Sequence, residues 1–507
     1  MVEWIECLPG APAWKAVWIT LPEAPDDPQL LLYRDPLECL EWLEANPEFT
    51  NDKDYVPYFE YLDPERQERC YSEMASGNTW NEIQGEFDEA DKITINPVII
   101  TMDSTHLTNF SGDKKVKPLL ISSGHIQQRV RASPNRRAFL CTAFLPEGKF
   151  PHVVYENPTQ ARELPGLLNR QLYHIAMRHV LKSLIPHETI PKEMLDSEGY
   201  LRKEIIRIVA LIADMPEKVL NACLAPNQCV SCMAGTKQLG DPEPCQDRTG
   251  ESILSSIAKL KADHPGVSAY KFLLEVKKLG LNGVKEPWWQ DFKHLDICKI
   301  ICPDVLHGLH KAFKDHIVNW NINLIGKVEL DAHFQRLPKF PGFRHFSTGI
   351  SKISQWSGKE HQDLQCNFLV AIAGHPSVHK DALKATRAEL DFIYLVQYRS
   401  HTERTLSQLG IYNTIYHHFK NIFIKTGARR GKKGVVIKHF NIPKIHTRHH
   451  YPPFIRLIGG TAGFSTEVPE RYHIEYAKKA YKGVSRRAYA EQMVCWLDRQ
   501  EKIQYFD

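Results

Sequence analysis

No stretch of the 507 residues approaches the roughly 18 uninterrupted apolar residues that a membrane helix needs. The first twenty residues carry Glu3 and Glu6 and lack a basic start, so a secretory signal is not expected. Cysteine is sparse. Twelve in the whole chain are too few for a disulfide scaffold, and a reducing compartment, cytosol or nucleus, is expected. Repeats and low-complexity tracts are absent as well. With 43% hydrophobic and 24% charged residues, disordered, collagen-like and fibrous classes are excluded. A length prior of about 150 residues per domain predicts about three domains.

Charge of one sign is missing in two places. Residues 1–91 hold 22 acidic and only 5 basic residues, a net of −17. Residues 404–466 hold 11 basic residues and no acid, with six histidines besides. A window of that kind points to a polyanionic partner, nucleic acid first. The bland alternative is a solvated basic face.

Residues 1–91 read as an acidic, partly helical preface, broken early by Pro9, Pro12, Pro22, Pro25, Pro28 and Pro36. From Ile93 the texture changes. Short β-branched or apolar runs, Val98–Met102, Val116–Ile121 and Ala138–Phe144, are separated by the turn residues Ser111-Gly112-Asp113 and Ser133-Pro134-Asn135. They predict three antiparallel strands. A helix near Leu167–Leu184 and a buried strand over Ile205–Ala213 follow. Residues 221–340 turn to amphipathic helical patterns, with one helix expected over Pro303–Trp320 and another from Ser357 past Ile372.

Two strands end in aspartate: Asp103 after Val98–Met102, and Asp214 after Ile205–Ala213. In the order three strands, helix, strand, the first and fourth strands can lie side by side and bring both carboxylates to one edge. Two close carboxylates repel, and a divalent cation between them relieves the repulsion. A third carboxylate would complete a two-metal site for phosphodiester chemistry. Glu360 is the candidate, in row with Leu364, Phe368 and Ile372 at i+4 steps. Its competing role is local, since Ser357 and Glu360 have capping-box spacing. For Asp103 and Asp214 the competing roles are turn or helix-cap aspartates.

These residues resemble a known family. The string ITMDSTHLTNFSGDKKVKPLLISSGHI around Asp103 is similar to the start of the catalytic domain of fungal Plavaka transposases, of the Kyakuja–Dileera–Zisupton group. The resemblance continues through IRIVALIADMPEK, the Cys-x-x-Cys at 229–232 and CPDVLHGLHKAFKDHIVNW. It resumes at GISKISQWSGKEH, HFNIPKIH and YAEQMVCWLDRQEK, covering most of residues 70–500. It implies an RNase H-like α/β fold with an Asp-Asp-Glu triad, a helical insertion before the Glu, and Mg²⁺-dependent cutting and joining of DNA. Carried over, Asp103, Asp214 and Glu360 are the triad holding two Mg²⁺ ions, and Asp304 rivals Asp214 as the second acid. Members often encode an N-terminal zinc finger. Cys7, Cys39 and Cys70 lack finger-like spacing, the pattern of a truncated or degenerate copy.

Cys229-Val-Ser-Cys232 has the spacing that lets two thiolates reach one tetrahedral Zn²⁺. Cys223, Cys245, Cys298, Cys302, His307 and His310 are the candidates to complete it. The alternative is buried, reduced cysteines in a helical body. In the basic window, Arg429, Arg430, Lys432, Lys433, Lys438, Lys444 and Arg448 are the expected DNA contacts, and the same run would serve as a nuclear import signal. His446, His449 and His450 are expected to be solvated or to face phosphate.

The expected organisation is an acidic region (1–91), the first part of the catalytic core (92–220), a helical insertion (221–340), a helix completing the core (341–403) and a basic region (404–507). The leading functional expectation is a nuclear DDE transposase that assembles as a homo-oligomer on transposon ends and target DNA, with no membrane partner. The alternatives are a non-catalytic DNA-binding protein derived from a transposase, and a plain nuclease with the same site.

Overall fold

The computed structural model describes residues 2–108, 114–485 and 487–506. The turn expected at Ser111-Gly112-Asp113 lies outside them.

The expected strands form at Ile93–Met102, Lys115–Ser123, Leu140–Leu145 and Leu201–Ile212. They belong to one mixed sheet with the strand order Lys15–Leu21, Ala24–Tyr33, Leu140–Leu145, Lys115–Ser123, Ile93–Met102, Leu201–Ile212, Lys192–Leu195. Ile93–Met102 pairs antiparallel with Lys115–Ser123 and parallel with Leu201–Ile212. The crossover between the parallel pair runs through the long helix Pro158–Leu181. A parallel pair must be covered on both faces, and here it is. Ile95, Ile99, Ile205 and Val209 face one core with Phe313 and Tyr472. Val98, Ile100, Ile206 and Leu211 face another with Leu167 and Leu172 from the crossover helix.

The acidic preface is not a separate layer. Its strands Lys15–Leu21 and Ala24–Tyr33 form a sheet edge, pairing with Leu140–Leu145. The helix Pro36–Ala45, capped by Asp35, buries Cys39, Leu40 and Leu43. The six early prolines suggested irregular chain, but Pro25 and Pro28 lie within the second strand. Only two of that strand's residues, Leu32 and Tyr33, pair with the next strand inward, so few ladder donors are needed from it.

Glu44, at the end of that helix, is fully buried beneath the sheet with His125 and Glu204. His125 Nδ1 lies 3.1 Å from Glu44, and Asn96 Nδ2 bonds both Glu44 (3.1 Å) and Glu204 (2.8 Å). Lys53 Nζ meets Glu44 at 3.0 Å. The three acid and imidazole groups could hold a metal ion by their spacing. However, Lys53 already supplies a cation, and the second ring nitrogen of His125 bonds Ile95 O at 2.9 Å. Burial raises the Glu204 carboxyl to about 7, and the Glu44 charge pushes it the same way.

Residues after Ile212 form a mainly helical body, including Gly250–Asp263, Ala269–Lys278, Lys327–Arg336, Gly358–Ile372, Lys380–Val396 and Glu403–Phe419. The helix expected over Pro303–Trp320 runs from Leu306 to Ile325, with two π-helical turns at Leu306–His310 and Lys314–Val318. The C-terminal part of the chain also packs on the sheet. Tyr472 packs on Phe139, Tyr476 Oη donates to Phe139 O (2.6 Å), and Tyr489 Oη donates to Lys115 O (3.1 Å). No helix among the described residues is long and apolar enough to cross a membrane.

Candidate active site and metal centre

The parallel register ends at Thr101↔Ile212, and Asp103 and Asp214 each lie two residues beyond it. Strands lie about 4.8 Å apart, so the two aspartates leave the same sheet edge as neighbours. Thr101 Oγ1 ties the strand ends together by donating to Ile212 O at 2.8 Å. Asp214 is also the N-cap of the helix Met215–Asn221, accepting from Glu217 N at 3.1 Å. The capping role weighed against catalysis is therefore filled by one carboxylate oxygen, alongside the pairing.

A carboxylate from the C-terminal part of the chain also acts on Asp103. Burial raises the Asp103 carboxyl to about 7, and the charges of Asp214, Glu470 and Glu217 push it further in the same direction, against His307. Glu470 lies on the helix Glu467–His473, and its Oε1 sits 3.2 Å from His307 Nε2. Burial also raises the Glu470 carboxyl, against the pull of His307. Glu217 is occupied by Lys117 Nζ at 2.8 Å.

Glu360 is engaged elsewhere. It closes the capping box of Gly358–Ile372: its backbone N–H donates to Ser357 Oγ, and its Oε2 accepts from Ser357 N at 2.7 Å. Its other oxygen pairs with Arg344. The i+4 row does pack inward at Leu364, Phe368 and Ile372, but the first residue of the row serves the helix start.

Asp304, the rival second acid, is a buried clamp. It accepts from Leu306 N (3.1 Å), His307 N (2.7 Å), Thr466 N (3.2 Å) and Thr466 Oγ1 (2.7 Å), and it contacts His307 Nδ1 at 2.9 Å. Burial alone would raise its carboxyl. The His307 hydrogen bond and the charge of Lys218 outweigh burial and hold it well below the usual range. Asp304 thus fixes both His307 and the approach to the Glu470 helix. Glu470 escaped sequence reasoning, although one signal was present: Glu467 and Glu470 are the first acids after the acid-free window.

The cysteine pair finds partners outside the candidates expected to complete it. Cys229, Cys232, His446 and His450 are all buried, with donor atoms within 4.8 Å of one another. Cys229 Sγ lies 3.2 Å from His450 Nε2, and Cys232 Sγ lies 3.0 Å from His446 Nε2. Arg248 Nε shapes the turn by donating to the carbonyls of Cys229 (3.0 Å) and Cys232 (3.2 Å). The Cys232 thiol is held below its ordinary range by the hydrogen bond with Cys229, against burial, with help from His446 and His450. A thiolate between two imidazoles is a metal-ligand environment. Cys223, Cys245, Cys298, Cys302, His307 and His310 are outside this set. His446 and His450 therefore do not face phosphate, and His449 meets Asn413 Nδ2 at 3.3 Å.

The basic window is partly internal for the same reason. Arg429 is buried against Trp320 and Phe440 and donates to His439 O, and Arg448 is buried in an ion pair with Glu389. Lys444 is half-buried. Arg430, Lys432, Lys433 and Lys438 are exposed.

With this geometry in place, comparison with known families is decisive. The family model described as Plavaka transposase matches residues 1–321. The chain belongs to the Plavaka transposase family. The match includes the acidic preface, both aspartates and the Cys-x-x-Cys, and it ends before Glu470, His446 and His450. No curated protein matches the chain.

Proposed function

We propose that this chain is a DDE-type DNA transposase on an RNase H-like core, with Asp103, Asp214 and Glu470 as its catalytic carboxylates. The observation that carries the reading is the parallel pairing of the two strands, which leaves Asp103 and Asp214 just beyond neighbouring strand ends, with Glu470 also acting on the half-buried Asp103. An all-oxygen, like-charged donor set suits hard divalent cations such as Mg²⁺. Asp103, Asp214 and Glu470 would hold them. When bound, such a pair supplies Lewis-acid activation of a water or 3′-hydroxyl and stabilises the leaving oxygen. His307 orients Glu470 from one ring nitrogen while Asp304 fixes the other. Lys117 neutralises Glu217, so that this fourth acid does not compete.

The Cys229, Cys232, His446 and His450 set fits a closed structural Zn²⁺ site, with four protein donors and no open position. The exposed Arg430, Lys432, Lys433 and Lys438 are suited to backbone phosphates of DNA bound by a homo-oligomer in the nucleus. Mg²⁺-dependent nicking of supercoiled DNA, abolished by Asp103→Asn, tests the catalytic reading. Nicking that survives this substitution refutes it.

A further inference from the structure

Lys218 is a buried cation without a direct partner. It is 3% exposed, and among the described residues its Nζ makes no hydrogen bond and no ion pair. An ammonium taken out of water is costly unless something compensates it. Lys218 lines a cavity of about 20 Å³ together with Met215, Cys229, Cys302, His446 and His450. A single water needs about 10–15 Å³. The ammonium and three of the four donors in the Cys229, Cys232, His446 and His450 set therefore share the walls of one water-sized space.

The cavity is anchored to the sheet edge. Lys218 stands one turn into the helix Met215–Asn221, and its backbone N–H donates to Asp214 O at 2.9 Å. Cys302, another wall residue, donates from its backbone to Leu211 O at 3.0 Å, on the strand that ends at Ile212. Asp304, Asp214 and Cys229 all act electrostatically on Lys218. An ammonium has three donors and no acceptor. Lys218 cannot ligate a metal, but it can donate toward a thiolate that does. Hydrogen bonds to ligand atoms from outside the coordination sphere orient the ligands and tune the metal.

We propose that Lys218 is an outer donor to the Cys229 thiolate, through one water in this cavity, and so ties the metal centre to the helix that Asp214 caps. It is a positioning residue. The inference rests on the Zn²⁺ reading of the Cys229, Cys232, His446 and His450 set, and its test separates the two.

The full chain is loaded with Co²⁺ in place of Zn²⁺, so that the sulfur-to-cobalt charge-transfer band reports on the thiolates. Lys218→Met keeps an unbranched stem and removes the donor. Its band should move to longer wavelength, because a thiolate that loses a hydrogen bond gives up an electron more readily. Zn²⁺ affinity, read by competition with pyridylazo-resorcinol, should fall about tenfold or more, the scale of losing an outer partner. Lys218→Arg should restore both. Should Lys218→Met fail to fold, Lys218→Gln, which donates without a charge, should move the band the same way by a smaller step. An unmoved band overturns the proposal even where affinity falls, since lost packing weakens metal binding without touching the sulfur. A wild-type chain that takes up neither metal refutes the Zn²⁺ reading, and the proposal with it.

Discussion

His307 bridges two acids, with Nδ1 at 2.9 Å from Asp304 and Nε2 at 3.2 Å from Glu470. The bridge links the start of one helix to a residue 163 positions later, and it sets the direction of the Glu470 carboxylate. Glu470→Gln should therefore lower Mg²⁺-dependent nicking by a factor on the order of 100 or more, the scale of losing one electrostatic group aimed at the reacting centre. His307→Ala should lower it about 10- to 100-fold, as expected of a residue that orients a ligand. Glu360→Gln should leave nicking intact and change stability by less than about 1 kcal/mol, because the glutamine oxygen still accepts from Ser357 N and only the charge facing Arg344 is lost. Loss of nicking in Glu360→Gln with full activity in Glu470→Gln would reverse the assignment.

The raised Asp103 carboxyl predicts a pH dependence in metal-free protein. Asp103 keeps its proton in the folded state to about pH 7, whereas unfolded aspartate loses it near pH 4. The folded state binds the extra proton between those values, so its contribution is present at low pH and is lost as pH rises through about 7. Thermal melts in EDTA should fall in Tm from pH 5.5 to pH 8. Added Mg²⁺ should recover more at pH 8 than at pH 5.5, because the cation competes with the proton. A Tm difference that does not respond to Asp103→Asn would count against this origin.

Zinc content offers a check that is independent of DNA. The purified chain should carry about one Zn²⁺ per molecule by atomic absorption. Cys232→Ser or His450→Ala should abolish it and lower Tm, since metal binding is folding free energy. Cys245→Ser and His449→Ala should retain the metal.

The buried cluster below the sheet makes the acidic preface indispensable. Glu44→Ala leaves Lys53 and His125 as buried cations without their shared anion, a loss of about 3–5 kcal/mol. Removing residues 1–91 strips a sheet edge as well, and should yield protein without a cooperative melt rather than one with freed DNA affinity.

Within the basic window, Arg430, Lys432, Lys433 and Lys438 replaced together by Ala should flatten the duplex salt slope by up to about 4, with little effect on Tm. Arg429→Ala and Arg448→Ala should act chiefly on stability, because each leaves a packed or ion-paired site empty.

What the sequence disclosed and what it withheld follow from range. The strands ending at Met102 and Ile212 announced themselves by β-branched runs, and they pair in parallel up to two residues before Asp103 and Asp214. The Glu360 reading came from true local signals, both of which the helix start satisfies. Glu470, His446 and His450 act through partners more than 160 residues away, and no periodicity reports a contact of that span. A Cys-x-x-Cys elsewhere in the chain and two histidines one helical turn apart did form a Cys₂His₂ donor set. Reading the histidines only against their basic neighbours obscured it.

The metal knuckle also bears on the order in which the molecule can be made. A nascent chain that has emerged only as far as Lys327 already holds Asp103, Asp214 and both cysteines. It lacks His446 and His450 of the four-donor cluster and Glu470, the proposed third carboxylate. Synthesis runs from the N-terminus, and domains fold as they emerge, so DNA-cutting competence would arrive last. An incomplete translation product would be a sheet without a blade.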